Sequence, residues 1–363
     1  MASLGFHICF SLLCATSLNL ICCYDLPKNH VAFFIFGDSL FDPGNNNYIN
    51  TIARANYWPY GETFFKYPTG RFSDGRLITD FIAEYAKLPL IPPYLQAEDH
   101  QFTYGVNFAS AGAGALSETN KGLVIDLKTQ ISYFRNVEKL LRQKFGDAKA
   151  KTSLSNAVYI ISIGSNDYTS PFVTNSTVPV SFWKEYVAMV IGNLTASIEE
   201  IYKVGGRKFG FMSLGQLGCT PALRVLVPGN SSSCLEDANA LAELHDKALY
   251  TALQELHSTL KGFKYAKHNI SVFLSESVND PPKFGLKEVN AACCGSGRYR
   301  GISSCGGKRG VTEFELCEDP NEYLFFDSGH FTDKVNGQIA ELMWSGYANV
   351  TGPCNLKELF SNI

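Results

Sequence analysis

No two cysteines are spaced C-x-x-C, and neither G-x-S-x-G nor G-x-G-x-x-G occurs anywhere in the chain. The first absence lowers a zinc-site reading of its 11 cysteines. The second argues against the nucleophile elbow of ordinary α/β-hydrolases, and the third against a dinucleotide fold. Charge imbalance is also missing: 31 Lys and Arg against 34 Asp and Glu give a formal net charge of -3, with the signs interspersed. Composition therefore offers no basic face for nucleic acid and no pull towards an anionic membrane surface. No repeat, low-complexity tract or long linker divides the chain. Past the N-terminus no apolar run reaches the roughly 18 residues that a membrane span needs.

What is present is 363 residues, 45% hydrophobic and 18% charged, enough to bury a sizeable core. Length alone suggests about two domains. From Ile8 to Cys23 the chain reads ICFSLLCATSLNLICC, uncharged and followed by Tyr24, Asp25 and Lys28. That pattern resembles a secretory signal and predicts cleavage near Cys23, with a signal at 1–23 and one domain over 24–363. Cleavage removes Cys9, Cys14, Cys22 and Cys23. It leaves Cys219, Cys234, Cys293, Cys294, Cys305, Cys317 and Cys354, up to three bridges and one free thiol. A Cys219–Cys234 bridge would clip a Pro- and Gly-containing loop, worth about 3 kcal/mol in the chain-entropy model. Sequons at Asn175, Asn193, Asn230, Asn269 and Asn349 fit an extracellular surface, Asn193 only if it lies on the outer face of a helix.

Four short apolar runs, 31–36, 157–163, 208–213 and 270–274, read as buried strands. Helical patterns lie at 77–86, 127–144, 183–204, 238–260 and 333–347. Strands buried on both faces and separated by helices predict one three-layer α/β/α sandwich with a mostly parallel sheet, not two domains. Ligands of such sheets bind beyond the carboxyl ends of the strands.

Chemistry-bearing residues gather at those ends. Ser39 follows the first strand in FIFGDSLFDPGNNN, where Gly37 permits a tight turn and Asp38 can fix it through backbone amides. Asp327 and His330, in YLFFDSGHFTD, are three residues apart, so the carboxylate can orient the imidazole while its other nitrogen faces a serine. Asn166, in the Gly164–Asp167 segment after the second strand, can donate to an oxyanion, and so can backbone amides of the small-residue stretch YGVNFASAGAGA. No Lys-Ser/Thr pair follows that stretch, which argues against phosphate binding. Taken singly, each feature is also an ordinary polar turn or packing loop.

In that order, FGDSLFDPGNNN, NFASAGAG, GSND and DSGHFT closely resemble the four sequence blocks of the GDSL (SGNH) esterase/lipase family, in its plant secreted branch. The resemblance extends to GRFSDGRLITDFIA at 70–83 and to CCGSGRYRG. It implies that Ser39 is the nucleophile, His330 the base and Asp327 its orienter. The oxyanion hole would comprise the Ser39 amide, Asn166 and one loop glycine, either Gly114 or, second, Gly112. Phe331 stands where the family usually has Pro after the histidine, a change that bears on the cleft wall. The expected activity is hydrolysis of carboxylic esters through an acyl-enzyme, with no cofactor or metal and a lipid or small-molecule ester as substrate. A secreted acyltransferase using the same intermediate and a non-catalytic binding or defence glycoprotein are the alternatives.

Overall fold

The computed structural model describes residues 31–361 apart from 98, 175, 177, 230–232 and 308–309. The expected signal at 1–23 with its four cysteines, and the sequons Asn175 and Asn230, lie outside the described residues. Strands β1 (Phe33–Gly37), β2 (Val158–Ser162), β3 (Lys208–Met212) and β4 (Lys264–His268) pair in parallel in that order. Thr351–Pro353 adds an antiparallel edge to β4.

Three strands fall where the apolar runs predict them, but the fourth does not. Ile270–Asn279 is a helix whose cap, Asn269, accepts from the Ser271 amide at 3.3 Å; the strand is the preceding KYAKH. A five-residue apolar run cannot by itself distinguish a strand from a helix face, and here Ile270, Phe273, Leu274 and Ser277 are buried at helical spacing. Two lysines disguise β4, although its Tyr265, Ala266 and His268 are buried. His268 is a core residue whose Nδ1 meets Thr351 Oγ1 at 2.9 Å. The five expected helices are present as Ile78–Tyr85, Leu127–Phe145, Trp183–Lys203, Glu236–Thr259 and Asp333–Ser345. Asp147–Asn156 and Ser165–Val173 are further helices with weaker sequence patterns.

Successive strand residues point to opposite faces, and each face has its own core. Phe34, Phe36, Tyr159, Ile161, Phe209 and Phe211 pack with helices 127–145, 183–203 and 236–259. Phe33, Ile35, Val158, Ile160 and Met212 pack with helices 78–85, 270–279 and 333–345. The fold is thus the α/β/α sandwich that the alternation predicts. Among the described residues no helix is long and apolar enough to cross a membrane.

The disulfides are Cys219–Cys234, Cys293–Cys317 and Cys294–Cys305. All are local staples, spanning 15, 24 and 11 residues. Among the described residues Cys354 is the free cysteine; its Sγ lies 3.0 Å from Tyr265 O, and burial pushes its thiol up to about 11. Asn193 and Asn349 are exposed, the former on the outer face of its helix, whereas Asn269 is half-buried in its capping role.

Candidate active site

β1 delivers Ser39 to the carboxyl edge of the sheet through a turn that requires glycine. At Gly37, φ is +152°, and a Cβ there would stand 2.3 Å from Ser162 O on the neighbouring strand. Buried Gln130 grips the same residue twice, accepting from Gly37 N–H at 2.9 Å and donating to Gly37 O at 2.9 Å. The Asp38 amide donates to Ser162 O, and Asp38 Oδ1 accepts from the Leu40 amide at 3.1 Å. Asp38 Oδ2 takes the Ser165 hydroxyl at 3.0 Å. Burial pushes the Asp38 carboxyl up to about 6, against the opposing pull of these donors and of nearby His330.

The rest of the FDPGNNN block bolts this turn to the small-residue loop. Asp42 accepts from the amides of Gly44, Asn45 and Ala111 at 2.8, 2.6 and 2.9 Å. Asn46 Nδ2 donates to Ala53 O and Ala111 O, and Asn107 Nδ2 to Phe41 O. From the other side Asp167 accepts from the amides of Ala115 and Leu116 and from the Thr119 hydroxyl, at 2.8, 3.1 and 2.6 Å. Asp42 and Asp167 thus hold the two ends of residues 111–116 from within the fold. Burial raises both carboxyls to about 6.

Between these anchors, Gly112 borders the cleft with φ +84°, and no Cβ contact closer than 3.1 Å opposes it. Gly114, the glycine first favoured as a donor, is not among the cleft's wall residues, and a Cβ there would lie 2.4 Å from Asp167 Oδ1 and 2.6 Å from Thr119 Cβ. Among the described residues neither the Ser39 nor the Gly112 amide has a protein hydrogen-bond partner. Asn166 stands on the first turn of helix Ser165–Val173 and borders the same cleft; its Nδ2 donates to Ala113 O at 3.0 Å.

His330 arrives from the other end of the chain. After the short strand Tyr323–Phe325, Asp327 Oδ1 accepts from the amides of Gly329 and His330 at 2.9 and 3.0 Å, closing a turn. The same oxygen meets His330 Nδ1 at 2.6 Å, while His330 Nε2 stands 2.7 Å from Ser39 Oγ. Tyr60 completes the line from behind: wholly buried, it donates its hydroxyl to Asp327 Oδ2 at 2.6 Å. In the sequence Tyr60 is one aromatic of NYWPYG, with no motif to mark it. Nothing local links it to a carboxylate 267 residues away.

The described part of the cleft encloses about 650 Å³ and includes Ser39, His330, Asp327, Gly112 and Asn166 in its walls. No cluster of His, Cys, Asp or Glu suited to holding a metal occurs among the described residues. The arrangement can pass a proton from Ser39 to His330 while Asp327 fixes the imidazole tautomer, and it has amides free to meet an oxyanion.

The buried carboxyls also set a stability prediction. Asp38, Asp42, Asp74, Asp167 and Asp246 all rise to about 6 from an ordinary 3.8, so between these values the folded chain holds protons that the unfolded chain has lost. His245 and His268 fall to about 3 through burial and act in the opposite sense over the same range. Glu62, raised to about 7 by burial, acts with the aspartates, and six groups against two leave net proton uptake on folding near pH 5. Stability should therefore increase as pH is lowered from 7 to 5, seen calorimetrically as a Tm rise of about 2–4 °C. A Tm that falls steadily over that interval would contradict the prediction.

A hydroxyl, an imidazole and a carboxylate in one hydrogen-bonded line at the carboxyl edge of a parallel sheet, covered by helices on both faces, define an α/β protein of the hydrolase class. Within that class the chain belongs to the GDSL-like lipase/acylhydrolase family, whose model matches residues 33–343. It is 54% identical over 350 residues to GDSL esterase/lipase 1 of Arabidopsis thaliana, an alignment covering 95% of this chain and 94% of that one. It is likewise 54% identical over 340 residues to GDSL esterase/lipase 5 of the same plant, covering 92% and 88%. With a GDSL lipase of Tanacetum cinerariifolium it shares 46% identity over 354 residues, covering 95% and 94%.

Proposed function

We propose that the chain is a secreted serine esterase that hydrolyses carboxylic esters through an acyl-enzyme, with Ser39, His330 and Asp327 as its triad. The hydrogen-bonded line at 2.7 and 2.6 Å, opening on the cleft of a chain from a lipase/acylhydrolase family, carries this reading. Neutral His330 takes the Ser39 proton on Nε2 as Ser39 Oγ bonds to the ester carbonyl carbon. The carbonyl oxygen becomes an oxyanion received by the amides of Ser39 and Gly112 and by the Asn166 side chain, each donor being worth about 2.7–4 kcal/mol. Collapse of this intermediate breaks the bond to the alcohol, which leaves with the proton from His330. Water, deprotonated by the same nitrogen, then attacks the acyl-enzyme and releases the acid. Asp327, held by Tyr60 and two backbone amides, keeps the Nδ1 proton in place throughout.

Secretion is supported by the uncharged stretch at 8–23, three disulfides and the exposed sequons at Asn193 and Asn349. Expression in a eukaryotic host tests both parts together. The medium should contain a glycosylated protein that hydrolyses p-nitrophenyl esters and takes up one fluorophosphonate per chain. A chain retained inside the cell would refute secretion, and a secreted, folded chain inert to the ester and the fluorophosphonate would refute the hydrolase.

A further inference from the structure

A second cavity, of about 510 Å³, lies where the chain leaves β3 and β4 at the carboxyl edge of the sheet. It adjoins the cleft of Ser39 at Gln216, which lines both. Its size falls within the roughly 300–1,000 Å³ of small-ligand sites. Among its wall residues Glu243, Lys247 and Tyr250 are exposed, so solvent reaches it, whereas Lys267 and Asn269 are half-buried. Asn269 and Ser271, both in the wall, are the two polar residues of the sequon Asn269-Ile270-Ser271.

The acceptor nitrogen of that sequon is uncommitted. Asn269 caps helix Ile270–Asn279 through Oδ1, which accepts from the Ser271 amide, and among the described residues its Nδ2 has no partner. Nor is that nitrogen sealed from solvent. The charges around it balance. Asp246 accepts from the amides of Leu214 and Gly215 at 2.9 and 3.4 Å, and Glu243 pairs with Lys247 at 2.5 Å. Lys267 makes no hydrogen bond or ion pair among the described residues; its Nζ lies 5.5 Å from the centre of the Tyr250 ring. Two acids and two bases in one cavity oppose a ligand of either charge. A neutral sugar suits them, because each hydroxyl both donates and accepts and its C–H face can lie on an aromatic ring.

We propose that Asn269 carries an N-linked glycan whose innermost N-acetylglucosamine lies in this cavity instead of projecting into solvent, where it braces helix Glu236–Thr259 against the start of helix Ile270–Asn279. The proposal rests on the secretion reading, because the donor of such a glycan, a lipid-linked oligosaccharide diphosphate, is met only during export. In the transfer Asn269 Nδ2 loses a proton and bonds to C1 of the donor sugar, as the bond from C1 to the lipid diphosphate breaks and the diphosphate leaves. The helix cap survives, since it uses Oδ1.

The test uses the full chain secreted from a eukaryotic host, with glycopeptides quantified by mass spectrometry during digestion with peptide N-glycosidase. In the folded protein the glycan at Asn269 should be released at least tenfold more slowly than those at the exposed Asn193 and Asn349. After denaturation the rates should agree within about threefold. Ser271→Ala removes the sequon and leaves the backbone amide that the cap uses, whereas Ser271→Thr keeps both. The Ala variant should therefore melt about 2–4 °C below the Thr variant. A secreted chain bare at Asn269, a glycan there released from the folded protein as fast as at Asn349, or equal Tm values for the two variants would overturn the seated glycan and leave secretion intact. A chain retained inside the cell would instead remove the secretion reading and the glycan with it.

Discussion

Ser39→Ala is expected to reduce kcat on any turned-over ester by about 10⁵–10⁶-fold and to abolish fluorophosphonate labelling. The fold should be untouched. Ser39 is half-buried at the cleft wall, its hydroxyl engages His330 at 2.7 Å, and the turn that carries it is held by Gly37, Asp38 and Gln130. Removing one oxygen there deletes the proposed nucleophile without leaving a buried cavity, so the Tm should move by no more than a few degrees. What remains over the uncatalysed rate would come from the oxyanion donors and substrate binding alone. Labelling of the variant at parental stoichiometry would assign the nucleophile to another residue.

Asp327→Asn is the second large expected effect, a loss of about 10⁴-fold in kcat with the serine still present. Asp327 Oδ1 receives two backbone amides and the His330 ring, while Oδ2 receives Tyr60. An amide in its place has one accepting oxygen for donors on both sides. If its NH₂ turns to His330, the ring must carry its proton on Nε2, the nitrogen that has to accept from Ser39. If its oxygen stays there, the NH₂ meets the Tyr60 hydroxyl, which must reverse its role, and the negative charge that stabilises the imidazolium is gone. Either outcome disables the base. Titration of the folded variant with fluorophosphonate should be slowed in proportion to turnover, and retention of more than a tenth of parental kcat would remove Asp327 from the proposed mechanism.

Much of this architecture was legible in the residues themselves. Runs such as VAFFIF and AVYIISI are hydrophobic without alternation because both faces of a parallel strand are covered, and β1 and β2 occupy those places. Ser39, Asp327 and His330 were legible because each belongs to a short polar motif at an element boundary. Where the reading failed, local pattern was weak or ambiguous. ISVFL carries the same apolar signal whether it is a strand or one face of a helix, and the two lysines of KYAKH concealed β4 because they break its apolar pattern although Tyr265, Ala266 and His268 are buried. The small-residue stretch itself does not say which of its glycines borders the cleft: Gly112 does, while Asp167 holds the amides of Ala115 and Leu116.

The sequence by itself determined the layer architecture, the pool of seven later cysteines and the set of candidate site residues, since periodicity, turn residues and side-chain chemistry are properties of short segments. Among the described residues, only tertiary structure decided which cysteine stays free, that Gly112 borders the cleft, and that Tyr60 stands behind Asp327. Those outcomes depend on contacts between segments up to 291 residues apart, as between Ser39 and His330, and distances of that kind are set by the packing of the whole core.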